Sequence, residues 1–385
     1  MKFNEDIMKR VVLLRSNPVQ PDPPVEKVAD ALLENGFQVA VLAWDRTQKN
    51  HSHITEQFQN GSAEMVRFGI PAVYGGRWAT LTSILRFEWK IFCWLVKNRK
   101  NYDAIHAFDL DTGLAASVVS RMFKKKLIYH VLDAYSHAHF YSDSLARRIV
   151  HKIEMKLINR ADATLICTEA RKDQIVGSEP KKLEIIHNSP DNTTLNSAEQ
   201  FELKPSKAPV KIAYVGTQCK GRGIEELLEA VKRDSRFEVH MGGYGPLDDA
   251  IRKASEHCDR IHYYGRLAYA QTLSLESQCD LMIAIYDPSI SNHRYAAPNK
   301  LYESLMLGKP LLMCRDTGWN ELFERENIGC LIEYSIEGIE RGLDELYNNK
   351  EKWPEMSQRA VALYNTEYSW EIMKERISKI YSETI

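Results

Sequence analysis

The residue types best suited to chemistry gather in the second half of the chain. In APNKLYESLMLGKPLLMC (297–314), Pro298 precedes a short helical stretch and Gly308 ends it before an apolar run. Backbone N–H groups at such a helix start, around Asn299 and Lys300, attract anions. Glu303, one turn further on, can accept hydrogen bonds from hydroxyl groups, the alternative being a carboxylate standing in solvent on a capped surface helix. Upstream, KIAYVGTQCKGRG (211–223) runs from an apolar strand through Gly216 into a turn bearing Lys220 and Arg222. A planar guanidinium grips two oxygens of an anion at once, whereas a merely solvated basic turn is the bland reading.

In the first half, YHVLDAYSH (129–137) puts His130 and Asp133 at a strand end, where an imidazole or a carboxylate can move a proton or serve only structure. Asp109 and Asp111 imitate a D-x-D metal motif. They are expected instead to cap a helix starting near Thr112, and no metal site is expected. The seven cysteines show neither a C-x-x-C pair nor metal-ligand spacing. They read as reduced core thiols of a cytoplasmic protein.

Positioning these groups requires a scaffold. Apolar strand-like runs at 11–15, 38–44, 103–108, 126–132 and 162–168 alternate with helical patterns at about 25–35, 79–99, 112–123 and 143–160. That alternation predicts a parallel sheet covered on both faces. Residues 192–209 are polar and aperiodic, a linker. The alternation then resumes with strands at 211–215, 237–241, 260–265, 279–286, 310–314 and 329–334. The helices between and after them are read at 222–232, near 246–256 and 269–277, at 299–307, and at about 335–347, 351–364 and 369–383. The fold class is therefore α/β, two Rossmann-like doubly wound domains over 1–191 and 210–368. Residues 369–385 are expected to return to the first domain, and ligands to bind at the carboxyl ends of the strands, in a cleft facing both sets.

The order of these segments resembles that of retaining glycosyltransferases of the GT-B architecture, group 1 type. IIHNSPD (185–191), IAYVGTQCKGRGIEELLEAV (212–231), HMGGYGPLDDAI (240–251), CDLMIAIYDP (279–288), the 297–314 segment and YSWEIMKERISKIY (368–381) match that family's motifs in turn. The resemblance implies a nucleoside-diphosphate sugar donor, UDP-linked, bound by Gly216, Lys220, Arg222, Gly245, Asn299, Lys300 and Glu303. Glu303 would hold the ribose and Arg222 the diphosphate. Where the family pattern has a first glutamate eight positions earlier, this chain has Tyr295, so Tyr295, Asn292, His293 or Asn299 would take over the sugar contact. His130 and Asp133 would stand beside the transferred sugar as catalytic candidates. The acceptor would be a hydroxyl of a glycan or lipid-linked glycan, with no cofactor and no metal. A sugar-nucleotide epimerase and a non-catalytic nucleotide-sugar-binding partner are the alternatives.

Charge is uneven: residues 1–190 carry 27 Lys and Arg against 21 Asp and Glu, and the remainder 24 against 31. This is too mild for a nucleic-acid partner. Residues 77–100, rich in Trp, Phe, Lys and Arg, and RMFKKK (121–126) suit peripheral contact with an anionic inner-membrane surface as well as core packing. No signal peptide and no run of ~20 apolar residues is read.

Overall fold

Aliphatic and β-branched runs form two sheets in the computed structural model, which describes residues 8–72, 77–138, 144–192 and 201–385, the side chains of 77–80 excepted. The chain divides into two compact units, one ending at His187 and completed by Met373–Ile385, the other Asn188–Ile372.

In the first unit the order is β1 (Arg10–Arg15), α1 (Pro23–Glu34), β2 (Gln38–Asp45), β3 (Ser52–Phe58), β4 (Gly61–Gly69) and α2 (Arg77–Lys97). It continues with β5 (Ala104–Phe108), α3 (Leu110–Phe123), β6 (Lys126–Val131), α4 (Tyr135–Ala138), α5 (Leu145–Arg160), β7 (Ala163–Ile166) and β8 (Leu183–Ile185). The sheet runs β3-β4-β2-β1-β5-β6-β7-β8. It is parallel except for β3, which pairs antiparallel with β4. This hairpin corrects the expectation of a wholly parallel sheet. The strand-like run is absent from the sequence because β3 is an exposed edge whose polar side chains need no apolar pattern. Residues 143–160, read as one helix, resolve into α5, capped when the Ser144 hydroxyl accepts from Arg147 N. Helix α13 (Trp370–Thr384) buries Met373, Ile377, Ile380 and Tyr381 in this unit, and the Tyr381 hydroxyl lies 2.6 Å from His106 Nδ1.

The second unit contains β9 (Val210–Thr217), α6 (Ile224–Arg233), β10 (Phe237–Tyr244), α7 (Asp248–His257), β11 (Ile261–Tyr263), α8 (Tyr269–Ser277) and β12 (Leu281–Ala284). After a 3-10 turn (Ser291–Tyr295) come α9 (Asn299–Leu307), β13 (Leu311–Cys314), α10 (Asn320–Glu326), β14 (Gly329–Ile332), α11 (Ile336–Asn348) and α12 (Trp353–Leu363). The sheet order is β11-β10-β9-β12-β13-β14, all parallel. Its strands read as unbroken apolar runs because both faces are covered. Residues 201–208, read as linker, lie bonded along this unit: Phe201 N donates to Ser274 Oγ, and Lys204 N to the Tyr264 hydroxyl. The cysteines are free thiols, but Cys93 is exposed and Cys219 and Cys258 half-buried, so the core-thiol reading holds only for the other four.

Because α13 contributes four fully buried side chains to the first unit, Ile377→Ala should destabilise that unit by about 2–4 kcal/mol. Native-state hydrogen exchange should quicken in β5 and β6 and stay unchanged in β9 and β12. No change in β5 and β6 would contradict the packing described.

Candidate functional site: the carboxyl end of the second sheet

The strand order of the second sheet reverses between β9 and β12, so the loops leaving these two strands diverge and open a crevice. Two glycines shape its floor. Gly216, at φ 147°, lies so near Lys300 that an added Cβ would sit 2.8 Å from the ammonium. Gly245, at φ 156°, would press a Cβ to 2.3 Å from the Gln218 carbonyl oxygen. Gln218 N donates to Tyr244 O at 2.9 Å and Leu247 N to Gln218 O at 3.1 Å, which ties the loops after β9 and β10 together. Side chains are excluded where backbone must approach a ligand or another loop.

Three cations surround this floor. The Lys300 ammonium is buried, donates to Val215 O at 3.0 Å and lies 4.8 Å from the centre of the Tyr214 ring. The Arg222 guanidinium stacks 4.2 Å over Tyr286, and its buried Nε has no hydrogen-bond partner. Lys220 is exposed. Among the described residues none of the three takes part in an ion pair, in contrast with Arg15, Arg171 and Arg236, which all face carboxylates. Buried or half-buried cations without counter-ions have unmet electrostatic demand, which an anion satisfies.

Helix α9 begins beside them. Pro298 occupies its N-cap position and supplies no side-chain cap; Leu301 N donates to Pro298 O at 3.0 Å, whereas the amides of Asn299 and Lys300 and the positive end of the helix dipole stay available, with Asn299 exposed in that turn. One turn on, Glu303 is 3 % exposed and hydrogen-bonded to the Tyr269 phenol of α8, which overturns the alternative of a solvated carboxylate. Glu276, also on α8, is wholly buried with neither oxygen hydrogen-bonded. Burial first, and the Glu303 charge second, push its pKa well above the usual carboxylate range, while Lys300 opposes them. That direction favours the neutral form of the Glu276 carboxyl. Tyr295 closes the 3-10 turn half-buried, and His293 in that turn bonds to Asp287 O and meets Tyr286 edge-on at 5.4 Å. Sequence reasoning missed Tyr269, Glu276 and Tyr286. Only the apolar-run position of Tyr286, two residues past β12, signalled any of them.

In the first unit, His130 is the penultimate residue of β6 and is buried, its Nδ1 lying 3.3 Å from His106 Nε2 and its ring 5.0 Å from that of Phe108. Its Nε2 has no partner. Asp133, three residues on, is half-exposed and paired with Arg171 at 2.8 Å. The capping role expected for Asp109 is corrected. With φ at 61° its side chain turns away from α3, accepts the amides of Leu132 and Asp133, and meets Arg15, which also pairs with Asp22. Burial raises the Asp109 pKa to about 6, with Arg15 opposing the rise.

Burial, followed by the Arg15 charge, lowers the His130 pKa to about 3. A folded value below the unfolded ~6.5 means that the neutral ring stabilises the fold fully above that pH, and that this contribution is lost as pH falls through about 3. Histidine ring nitrogen NMR should therefore find His130 neutral from about pH 8 to about pH 5, whereas a midpoint near ~6.5 would contradict its burial.

Comparison with known proteins accords with this geometry. The family described as "Glycosyl transferase 4-like domain" matches residues 23–189, and "Glycosyl transferases group 1" matches 196–362. A glycogen synthase of Mycobacterium tuberculosis is 23% identical over 200 residues, 48% of this chain and 47% of its own length. This chain thus spans about half of that curated relative. The O-antigen biosynthesis glycosyltransferase WbnH of Escherichia coli is 21% identical, over 70% of this chain and 76% of its own. Among solved structures, sucrose-phosphate synthase from Thermosynechococcus elongatus superposes with a TM-score of 0.76 at 14% identity, covering 97% of this chain and 98% of that one. HepE of Anabaena, solved in complex with UDP, gives 0.70 at 15% identity, covering 98% and 100%. Two family matches in succession along one chain, on two doubly wound sheets, place this protein in the group 1 glycosyltransferases of GT-B architecture.

Proposed function

We propose that the protein transfers a sugar from a nucleoside-diphosphate sugar, UDP-linked, to a hydroxyl acceptor in cell-surface glycan synthesis, with retention of anomeric configuration. The observation that carries this reading is the set of cations without counter-ions, Lys220, Arg222 and Lys300, beside the uncapped start of α9. A diphosphate supplies the missing negative charge, and Glu303 accepts bonds from the ribose hydroxyls. As the glycosidic bond breaks, negative charge grows on the leaving phosphate, where Arg222 and the α9 amides stabilise it. The departing phosphate takes the acceptor proton, so no protein nucleophile is required. His130, neutral in its buried site, and Asp133 are assigned to the sugar and acceptor side in the first unit. UDP bound to the structurally similar HepE supports the donor class, and the likeness to WbnH supports a surface glycan as product.

A second feature favours work at a membrane face in the cytoplasm. Among the described residues no helix is long and apolar enough to cross a bilayer. Helix α2, the main element of 77–100, buries Phe87, Ile91 and Leu95 but exposes Leu81, Leu85 and Trp89. Helix α3 exposes Leu114, Val118 and Met122, and α5 exposes Leu145, Ile149 and Ile153. Each set follows the i, i+4, i+8 spacing of one helix face, and the three helices lie side by side on one side of the sheet. Exposed Lys90, Lys97, Arg121, Lys124 and Lys152 accompany the stripes. Core packing and surface display thus belong to opposite faces of the same helix. Apolar stripes with cations at their margins match the acyl boundary and headgroups of an anionic bilayer.

Two measurements test these readings. Calorimetry with UDP should show Glu303→Ala and Arg222→Ala weakening binding by roughly ten- to a hundred-fold, the worth of ~1.5–3 kcal/mol. Arg222→Ala should spare uridine and Glu303→Ala should not, and wild-type binding should persist in excess EDTA. Unaltered UDP affinity in folded Glu303→Ala would remove the site assignment. Separately, co-sedimentation with vesicles containing anionic lipid should fall with added salt and collapse for Leu85→Glu combined with Val118→Glu. Equal recovery of this variant and the wild type would remove the membrane reading.

A further inference from the structure

Away from the crevice, β10 and β11 bring together three side chains that the proposed transfer does not use. Glu238 and His240 are two residues apart on β10 and therefore project from the same face of the sheet, and His262 on β11 is the register partner of His240. All three are buried, and a carboxylate oxygen and two imidazole nitrogens lie within 4.8 Å of one another. His240 Nε2 is 2.9 Å from Glu238 Oε1, and His262 Nε2 is 3.8 Å from Glu238 Oε2.

The surroundings fix these atoms. Glu238 accepts hydrogen bonds from Ser206 Oγ at 2.9 Å, Lys207 N at 2.5 Å and Ala208 N at 3.0 Å, which orient both of its oxygens. The Tyr264 hydroxyl sits 2.8 Å from His240 Nδ1, holding the ring so that Nε2 faces the carboxylate. His262 Nε2, in contrast, is buried with no hydrogen-bond partner. The hydrogen-bond network accounts for Glu238 and His240 at short range and leaves that nitrogen only its 3.8 Å approach to Glu238 Oε2. A buried imidazole nitrogen that, as the neutral Nδ1–H tautomer, presents its lone pair toward a carboxylate and a second imidazole has the chemistry of a metal ligand, and orienting partners of this kind are what metal-bound imidazoles and carboxylates carry.

We propose that Glu238, His240 and His262 bind a divalent transition metal, Zn2+ being the best match to two imidazoles and a carboxylate. Glu238 and His240 lie in the first half of β10, whereas the cations of the crevice stand at the carboxyl end of β9, so the ion has a structural role. It joins the edge strand β11 to β10 and, through Glu238, to residues 206–208 that run over them. No sequence motif announces the site, because its ligands come from an i, i+2 pair and a neighbouring strand.

The probe is Zn2+ itself, added to metal-stripped full-length protein, with thermal unfolding and metal content as readouts independent of turnover. Wild type should retain one zinc per chain after dialysis and gain about 4 °C or more in Tm at saturating Zn2+. His262→Ala removes a ring whose Nε2 makes no hydrogen bond and leaves the contacts of Glu238 in place, so it should fold, retain no zinc and lose the Tm gain. His262→Gln serves the same purpose if the alanine variant is poorly folded. Zinc binding with equal stoichiometry and Tm gain in wild type and both variants, or no zinc retention by wild type, overturns the proposal.

Discussion

The carboxyl end of the second sheet is organised around one contact, the hydrogen bond from the Lys300 ammonium to the carbonyl oxygen of Val215. It pins the first turn of α9 to the end of β9, across the point where the strand order reverses. It also requires glycine at 216, since a side chain there would stand where the ammonium lies. A buried ammonium whose close partners are a carbonyl and the Tyr214 ring, with no carboxylate in ion-pair contact, adds positive charge there. Arg222 over Tyr286 and the open amides of α9 add to that charge. The concentration of positive charge is thus a consequence of how the helix is attached to the strand.

The same attachment sets the environment of Glu303. With Lys300 turned toward β9, the next turn of α9 faces α8, and Glu303 meets Tyr269 and stands near Glu276. Burial and the neighbouring Glu303 both raise the Glu276 pKa, while Lys300 opposes them. The Tyr269 phenol orients Glu303 through their hydrogen bond. The first unit solves a comparable problem differently: Arg15 neutralises Asp22 and Asp109 together, and Asp109 in turn holds the backbone after β6, next to His130.

Much of this was legible in the sequence where local rules govern. Helix α9 begins and ends as read because Pro298 and Gly308 punctuate it, and the strands around it are apolar runs buried on both faces. Lys220 and Arg222 were singled out through the resemblance of their segment to the family's basic turn after the first strand of the second domain. Local rules failed where a partner comes from far along the chain. Asp109 resembles a helix cap, yet Arg15 and two amides beyond β6 compete for its carboxylate and win. The partners of Glu303 lie on a separate helix, and β3 is held only by its pairing with β4, with little apolar burial to mark it.

The central claim is that a diphosphate completes the charge at the end of β9. A crystal structure of the protein with UDP tests this most directly. The account predicts diphosphate density against the Gly216–Gly223 loop, with Arg222 bound to phosphate oxygens and the ribose hydroxyls on Glu303. UDP bound elsewhere, or in this crevice with Arg222 and Glu303 both out of contact, would contradict it.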